Sequence, residues 1–178
     1  VSLSSDGLVL AVGAHHFSIP PPGECRVYTF DDTITTATSN GGDWVPKGQL
    51  LRGASPDDRF GISVSLSYDG DVLAVGAHKG GRNNNNNNNN NNGGGRSETG
   101  LARVYKFDYS IQQWKLLGGQ QEQNLNGDNE NDEFGFSVAI SGDGTKLIVG
   151  AYAHDDDGTN NSGQTKVFQL VAQQSSSS

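Results

Sequence analysis

The chain has 178 residues, enough for one domain of ordinary size, and 25 of them are glycine, about twice the usual ~7% share and suited to a turn-rich all-β fold. Its net charge of -8 leaves no basic footprint for nucleic acid or an anionic membrane surface. No stretch approaches the ~20 apolar residues of a membrane helix, and Cys25 stands alone, which excludes an internal disulfide and marks it as a small packing residue.

The chain opens on a hairpin. Asp6-Gly7 lies between alternating apolar runs, a strong short-range hairpin signal. A two-residue loop there sets Leu3 opposite Leu10 and Val1 opposite Val12. After a loop comes Gly23 to Phe30, whose β-branched and aromatic residues favour a strand. Trp44 to Gly53 reads as an outer strand, since Pro46 removes one ladder donor and proline is tolerated at a sheet edge. A polar, acidic linker then ends in Asp58-Arg59-Phe60-Gly61.

The same order recurs. Residues 60–77 fold about Asp69-Gly70, with Leu66 facing Leu73 and Val64 facing Val75. A third strand (Gly100 to Phe107), an outer strand (Trp114 to Gly119) and a linker ending in Asp132-Glu133-Phe134-Gly135 follow. The last hairpin turns at Asp143-Gly144, pairing Ile140 with Leu147 and Val138 with Val149, before a final strand from Gly163 to Leu170. Cys25, Ala102 and Thr165 occupy one position of this repeat, and Val27, Val104 and Val167 another.

Val1, Val64 and Val138 are 63 and 74 residues apart, and the second spacing falls to 64 without the ten asparagines Asn83 to Asn92. Four-stranded antiparallel units repeated at a fixed period predict β-propeller blades. WD40 blades repeat at ~40–45 residues, so they match less well. The predicted division is blade one at 1–59, without a leading Phe-Gly, blade two at 60–133, a partial blade three at 134–174 and a disordered Ser tail at 175–178. Within blade two, residues 80–97 form an Asn-rich loop expected to be disordered.

Each hairpin has a large face (Val64, Leu66, Leu73, Val75) and a mostly small one (Ser65, Ala74; Ser2, Ala11), so that successive blades stack large on small. Ile148 breaks the small face of the third repeat, so its neighbour must differ there. Propellers need about four to eight blades. The chain is therefore expected to be an incomplete piece of about three, with open blade faces that invite association.

At Phe60-Gly61 with Val75-Gly76-Ala77, and at Phe134-Gly135 with Val149-Gly150-Ala151, the chain resembles the FG-GAP repeats of integrin α-chain-like propellers. The Gly-x-x-Arg-Val-Tyr third strand is similar to that family too. The resemblance implies a propeller of about seven blades, extracellular or at the cell surface, that binds proteins or other ligands without catalysis. It also implies a calcium loop between the first two strands. Here that turn is too tight for the six to eight oxygens calcium takes, so the family's site is not carried over, and Asp6, Asp69 and Asp143 read as turn formers.

Loop length and acidity gather on the opposite face, where repeat proteins usually place recognition. Asp128, Glu130 and Asp132, and Asp155 with Asp157, loosely resemble a calcium loop without its closing bidentate Glu, making them weak metal candidates beside the reading as solvated loops. Asp58 and Asp132 read as caps of backbone N–H groups before Phe-Gly. His15 and His78 each follow Val-Gly-Ala, where the third copy has Tyr152 with His154 nearby; with His16 these are candidates for a ligand-facing rim, against the plainer reading as exposed loop imidazoles. Asn160-Asn161-Ser162 is a glycosylation acceptor if the protein is secreted.

The favoured function is a non-catalytic binding or adhesion module for a protein or glycan ligand, partnered also by the remaining blades of a longer parent chain. A propeller enzyme acting on glycans and a purely structural repeat are the alternatives. No nucleic-acid partner, and no membrane insertion by this segment, is expected.

Overall fold

In the computed structural model, residues 1–15, 22–34, 41–55, 57–81, 98–117, 125–156 and 159–170 are described. Three antiparallel sheets follow one another along the chain. The first holds β1 (Ser2–Leu3), β2 (Val9–Ala14), β3 (Glu24–Asp31), β4 (Asp43–Pro46) and β5 (Leu51–Arg52). In the second are β6 (Ser63–Leu66), β7 (Val72–Ala77), β8 (Leu101–Asp108), β9 (Gln113–Leu116) and β10 (Leu125–Asn126). The third is made of β11 (Phe134–Ile140), β12 (Lys146–Ala151) and β13 (Gln164–Gln169).

The hairpin registers are those the alternation demands: Leu3 pairs with Leu10, Leu66 with Leu73, Val64 with Val75, Ile140 with Leu147 and Val138 with Val149. The first ladder stops at Ser2–Ala11, so Val1 and Val12 do not pair. The loops are longer than the two residues expected. Ser67 N–H donates to Val72 O (2.9 Å), closing a four-residue loop, and a Gly70 N–H to Ser67 O bond (3.1 Å) makes its turn. Gly70 has φ +68 while Asp69 is not left-handed, so this is not the type I′ turn that needs both. Side chains complete it: Ser67 Oγ donates to Asp69 Oδ1 (2.6 Å) and accepts Val72 N–H (2.9 Å), while Asp69 Oδ1 accepts Asp71 N–H (3.0 Å). Ser4-Asp6 and Ser141-Asp143 repeat the arrangement.

The outer strand is split, unlike the single strand expected. β4 pairs with the far half of β3 through Tyr28–Pro46 to Asp31–Asp43, while β5 pairs with Glu24 and Cys25. Between them Gly48 (φ +79) lets the chain leave the ladder. Lys47 is buried there, its Nζ donating to Asp71 Oδ1 (2.8 Å) and Gly70 O (3.1 Å) beside the Phe107, Tyr109 and Trp114 rings. Gln49 clamps the Trp114 backbone, donating to its O (2.7 Å) and accepting its N–H (2.8 Å). The break thus fastens the first sheet to the second. In the second sheet β9 and β10 divide the pairing to β8 in the same way, and β10 lies in what the sequence offered as linker.

The sheets stack small face on large. Val9, Ala11, Cys25 and Val27 share a core with Leu66, Leu73, Val75 and Tyr105. Ala74, Ala102 and Val104 share another with Leu147, Val149 and Ala151. The middle strand β7, covered on both sides, is buried at every residue. Two serines tie the faces: Ser2 Oγ accepts Leu66 N–H and Ser65 Oγ accepts Ile140 N–H, each at 3.0 Å.

Phe60-Gly61 and Phe134-Gly135 are wedged between sheets. Phe60 is fully buried, edge-on to Tyr105; Phe134 is fully buried, edge-on to Phe168. A Cβ on Gly13 would collide with the Gly61 carbonyl, and one on Gly76 with the Gly135 carbonyl. That close backbone approach is what the glycine of Val-Gly-Ala permits.

Candidate functional site

The strand ends that follow Val-Gly-Ala and the segments that precede Phe-Gly meet at one rim. Its backbone frame repeats: Lys79 N–H donates to Asp58 O and Ala153 N–H to Asp132 O, both at 3.3 Å. Asp58 and Asp132 are buried caps, as their spacing before Phe-Gly indicates. Asp58 Oδ2 accepts the N–H groups of Ala54 (3.0 Å) and Ser55 (2.8 Å), and Asp132 Oδ2 accepts that of Asn129 (2.8 Å). The next residue is left-handed in both copies, with φ 54 at Arg59 and 56 at Glu133. Side chains there carry Cβ strain to make the turn into Phe-Gly.

On this frame the side chains differ from copy to copy. His78 is 3% exposed, with Nε2 3.2 Å from Arg59 Nη1 and 3.9 Å from Glu133 Oε2. Arginine can only donate, so Nε2 accepts and the ring proton sits on Nδ1. Burial, reinforced by Arg59 and Lys79 against the opposing pull of Glu133, pushes the imidazole down to about 4. It is neutral at physiological pH. Burial raises the Glu133 carboxyl, but the Lys79 ammonium at 2.7 Å and a hydrogen bond from Tyr152 outweigh it and hold the carboxyl below its usual range. Lys79 also approaches Glu98 (3.9 Å).

His154 behaves oppositely. Its Nδ1 lies 2.9 Å from Asp132 Oδ2, and that hydrogen bond, with Asp128 and Asp156 nearby, raises its pKa despite some desolvation. Asp128 accepts Lys166 Nζ and Gln164 Nε2, and the Lys166 contact lowers its pKa. Asp155 Oδ1 accepts Asn161 N–H (2.7 Å) and Glu130 is exposed. The carboxylates of Asp128, Asp132 and Asp155 thus turn to separate partners. Among the described residues, no three His, Cys, Asp or Glu side chains gather as a metal-holding group. Asp157 and His16 lie outside the described residues; His15 is partly buried at the rim.

Tyr152 is exposed and packs edge-on to Phe136 (4.7 Å between ring centroids), which in turn meets His78 across the sheet boundary (5.4 Å). Phe136 was not among the candidates, although its place two residues after Phe134, where the second repeat has Ile62, marked it as a substitution in the pattern. The Lys79–Glu133 pair joins residues 54 apart in sequence and had no local signal.

The comparison with known families fits this geometry. The FG-GAP repeat family matches residues 52–94 and 126–168; each match takes in the capping aspartate, the wedge and the hairpin, and the second continues into β13. The chain carries two FG-GAP repeats. Its sheets are propeller blades, and the two matched FG-GAP repeats carry the two wedges. No curated protein matches the FG-GAP chain. Among its described residues no helix is long and apolar enough to cross a membrane.

Proposed function

We propose that the protein is a non-catalytic binding module that recognises a protein or glycan ligand through the Val-Gly-Ala rim. One observation carries this reading: at that rim the backbone contacts repeat while the side chains do not. Asp58 and Asp132 anchor equivalent loops, yet they present Arg59 against Glu133, His78 against Tyr152 and Lys79 against Ala153. A fixed frame with variable side chains is how repeat folds diversify recognition. The exposed Phe136–Tyr152 pair adds the apolar contact that binding surfaces use.

The chemistry present favours binding over turnover. His78 is held neutral against Arg59, and His154 is tied to Asp132, so neither is aimed as a base at an open nucleophile. Extracellular adhesion accords with the integrin-like resemblance and is part of the same proposal. Probing a protein and glycan array with the full chain is the test. Retention of a ligand that Tyr152→Ala with Phe136→Ala abolishes is expected. Hydrolysis of an arrayed glycan, or retention insensitive to both substitutions, would overturn the reading.

A further inference from the structure

Lys47 reaches the second sheet from the break between β4 and β5, and its ammonium lies in a cage of rings. Its Nζ is 4.9 Å from the centre of the Phe107 ring, 5.5 Å from Tyr109 and 5.8 Å from Trp114, all within the ~6 Å over which a ring face attracts a cation. Asp71 Oδ1 (2.8 Å) and Gly70 O (3.1 Å) accept two of its three protons. Tyr109 O–H donates to the same carboxylate oxygen (2.6 Å), and the ring is 60% exposed, so one wall of the cage faces solvent.

Stacking of the sheets does not require this ammonium. At the next boundary Leu117 stands in the place of Lys47. Its N–H donates to Val104 O as that of Lys47 does to Val27 O, both at 2.8 Å, and its side chain joins the second core. Thr145 follows the Asp-Gly turn there, as Asp71 does here. In the first sheet Phe30 and Trp44 pair as Phe107 and Trp114 do, but Leu8 replaces Asp71 and Asp32 replaces Tyr109. Lysine, acid and tyrosine therefore occur as one set, at one boundary. Apolar residues often match a buried ion pair in stability, so burial alone leaves the set unexplained. The Lys47 backbone is also held without its side chain, by Val27 O and by Trp114 Nε1–H donating to Lys47 O (2.8 Å).

We infer that Asp71, Gly70 and the three rings form a binding site for a primary alkylammonium, the end of a lysine side chain or a free amine, which Lys47 occupies from within and closes to an external ammonium until it withdraws. The chemistry defines the ligand: carboxylate and rings ask for positive charge, and the two acceptors ask for N–H donors. The site lies at the Asp-Gly end of β7, whereas the proposed binding rim lies past Ala77 at the other end, so the two proposals fail separately.

Fluorescence tests it. The chain has two tryptophans, so Trp44→Phe leaves Trp114 as a single reporter inside the cage. In Trp44→Phe with Lys47→Ala, n-butylammonium chloride should change that emission saturably within about 100 mM, measured against sodium chloride of equal strength. n-Butanol lacks the charge and butyltrimethylammonium lacks the N–H donors, so each should bind at least tenfold more weakly. Adding Asp71→Asn should weaken butylammonium as much, and the chain that keeps Lys47 should not respond. The peptide acetyl-Gly-Gly-Lys-Gly-Gly-amide, titrated alongside, tells a protein lysine from a free amine by which of the two binds more tightly. If Lys47→Ala is unfolded in plain buffer, recovery of its far-ultraviolet β spectrum by butylammonium and not by butanol is the equivalent result. No saturable response and no recovery of fold overturns the inference. So does an equal response to either control solute, a response that survives Asp71→Asn, or one that the Lys47 chain matches.

Discussion

Gly76 and Gly150 sit in the same Val-Gly-Ala sequence, in equivalent strands, paired with equivalent neighbours across the ladder. Neither has a left-handed backbone. What separates them is the next sheet: the Gly135 backbone lies on Gly76, whereas Gly150 faces a cleft with the mobile Ser137 hydroxyl nearest. The glycine is therefore demanded by the neighbour and not by the strand that contains it. A repeat copies the residue everywhere, while the constraint exists only where the wedge is seated.

The largest effect should come from testing that difference directly. Gly76→Ala drives a methyl into a backbone oxygen that cannot swing aside, and a loss of more than about 4 kcal/mol is expected. Gly150→Ala asks only that Ser137 change rotamer, and a change within about 1 kcal/mol is expected. Urea midpoints of the two variants give the comparison. Equal losses would place the requirement within the strand and dissolve the distinction.

Two neighbouring phenylalanines sharpen it. Phe134 is fully buried among Gly100, Gly127 and Phe168, while Phe136 is 44% exposed beside Tyr152. Phe134→Ala should cost about 3 kcal/mol or more through the cavity it leaves. Phe136→Ala should cost well under half of that in denaturant unfolding. A comparable cost at both would mean that the third sheet's face is packed as tightly as the second's.

Much of this architecture was legible because period-two alternation and Asp-Gly turns fix register locally. Leu66–Leu73 and Ile140–Leu147 follow from residues within eight positions of each other. The stacking order was legible too, since Ala74 beside Val75 already distinguishes a small face from a large one. The split outer strand was not. It depends on Lys47 and Gln49 finding Asp71 and Trp114, 24 and 65 residues away. At the rim, the carboxylate caps at Asp58 and Asp132 were readable from their fixed place before Phe-Gly. The partners of His78 and His154 were not, because each lies on a different segment whose approach the fold alone decides.

Those two histidines extend the comparison to pH. His78 sits at the filled boundary between the second and third sheets, and its pKa falls from 6.5 to about 4, chiefly through burial. The unfolded chain binds this proton more readily, so the stability conferred by a neutral His78 is whole above pH 6.5. It is lost as pH falls towards 4, by up to about 3 kcal/mol. His154, on the open third sheet, has its pKa raised chiefly by Asp132, so its contribution is whole below 6.5 and is lost as pH rises through the folded value. Stability curves of His78→Gln and His154→Gln should therefore differ from the parent in opposite directions: the first flattening between pH 6.5 and 4, the second above 6.5. Parallel curves would show that the filled boundary does not exclude water from His78 any better than the open side does from His154.

The smallest expected effect is calcium. Binding would need six to eight oxygens around one ion, yet three of the candidate carboxylates are committed elsewhere. Asp132 is buried against Asn129 N–H and His154, Asp128 accepts Lys166, and Asp155 accepts Asn161 N–H. Gathering them would break the cap that turns the chain into Phe134-Gly135, so an ion would have to repay the loss of the wedge's entrance. Millimolar calcium should accordingly move the melting temperature by less than about 1 °C, where an ion at a hundred times its dissociation constant would add about 2.7 kcal/mol. A shift of several degrees, reversed by chelator and removed by Asp132→Asn, would mean that the cap itself is the ion's seat. In that case the seated second boundary, and not the open third face, would be the part of the molecule under ligand control.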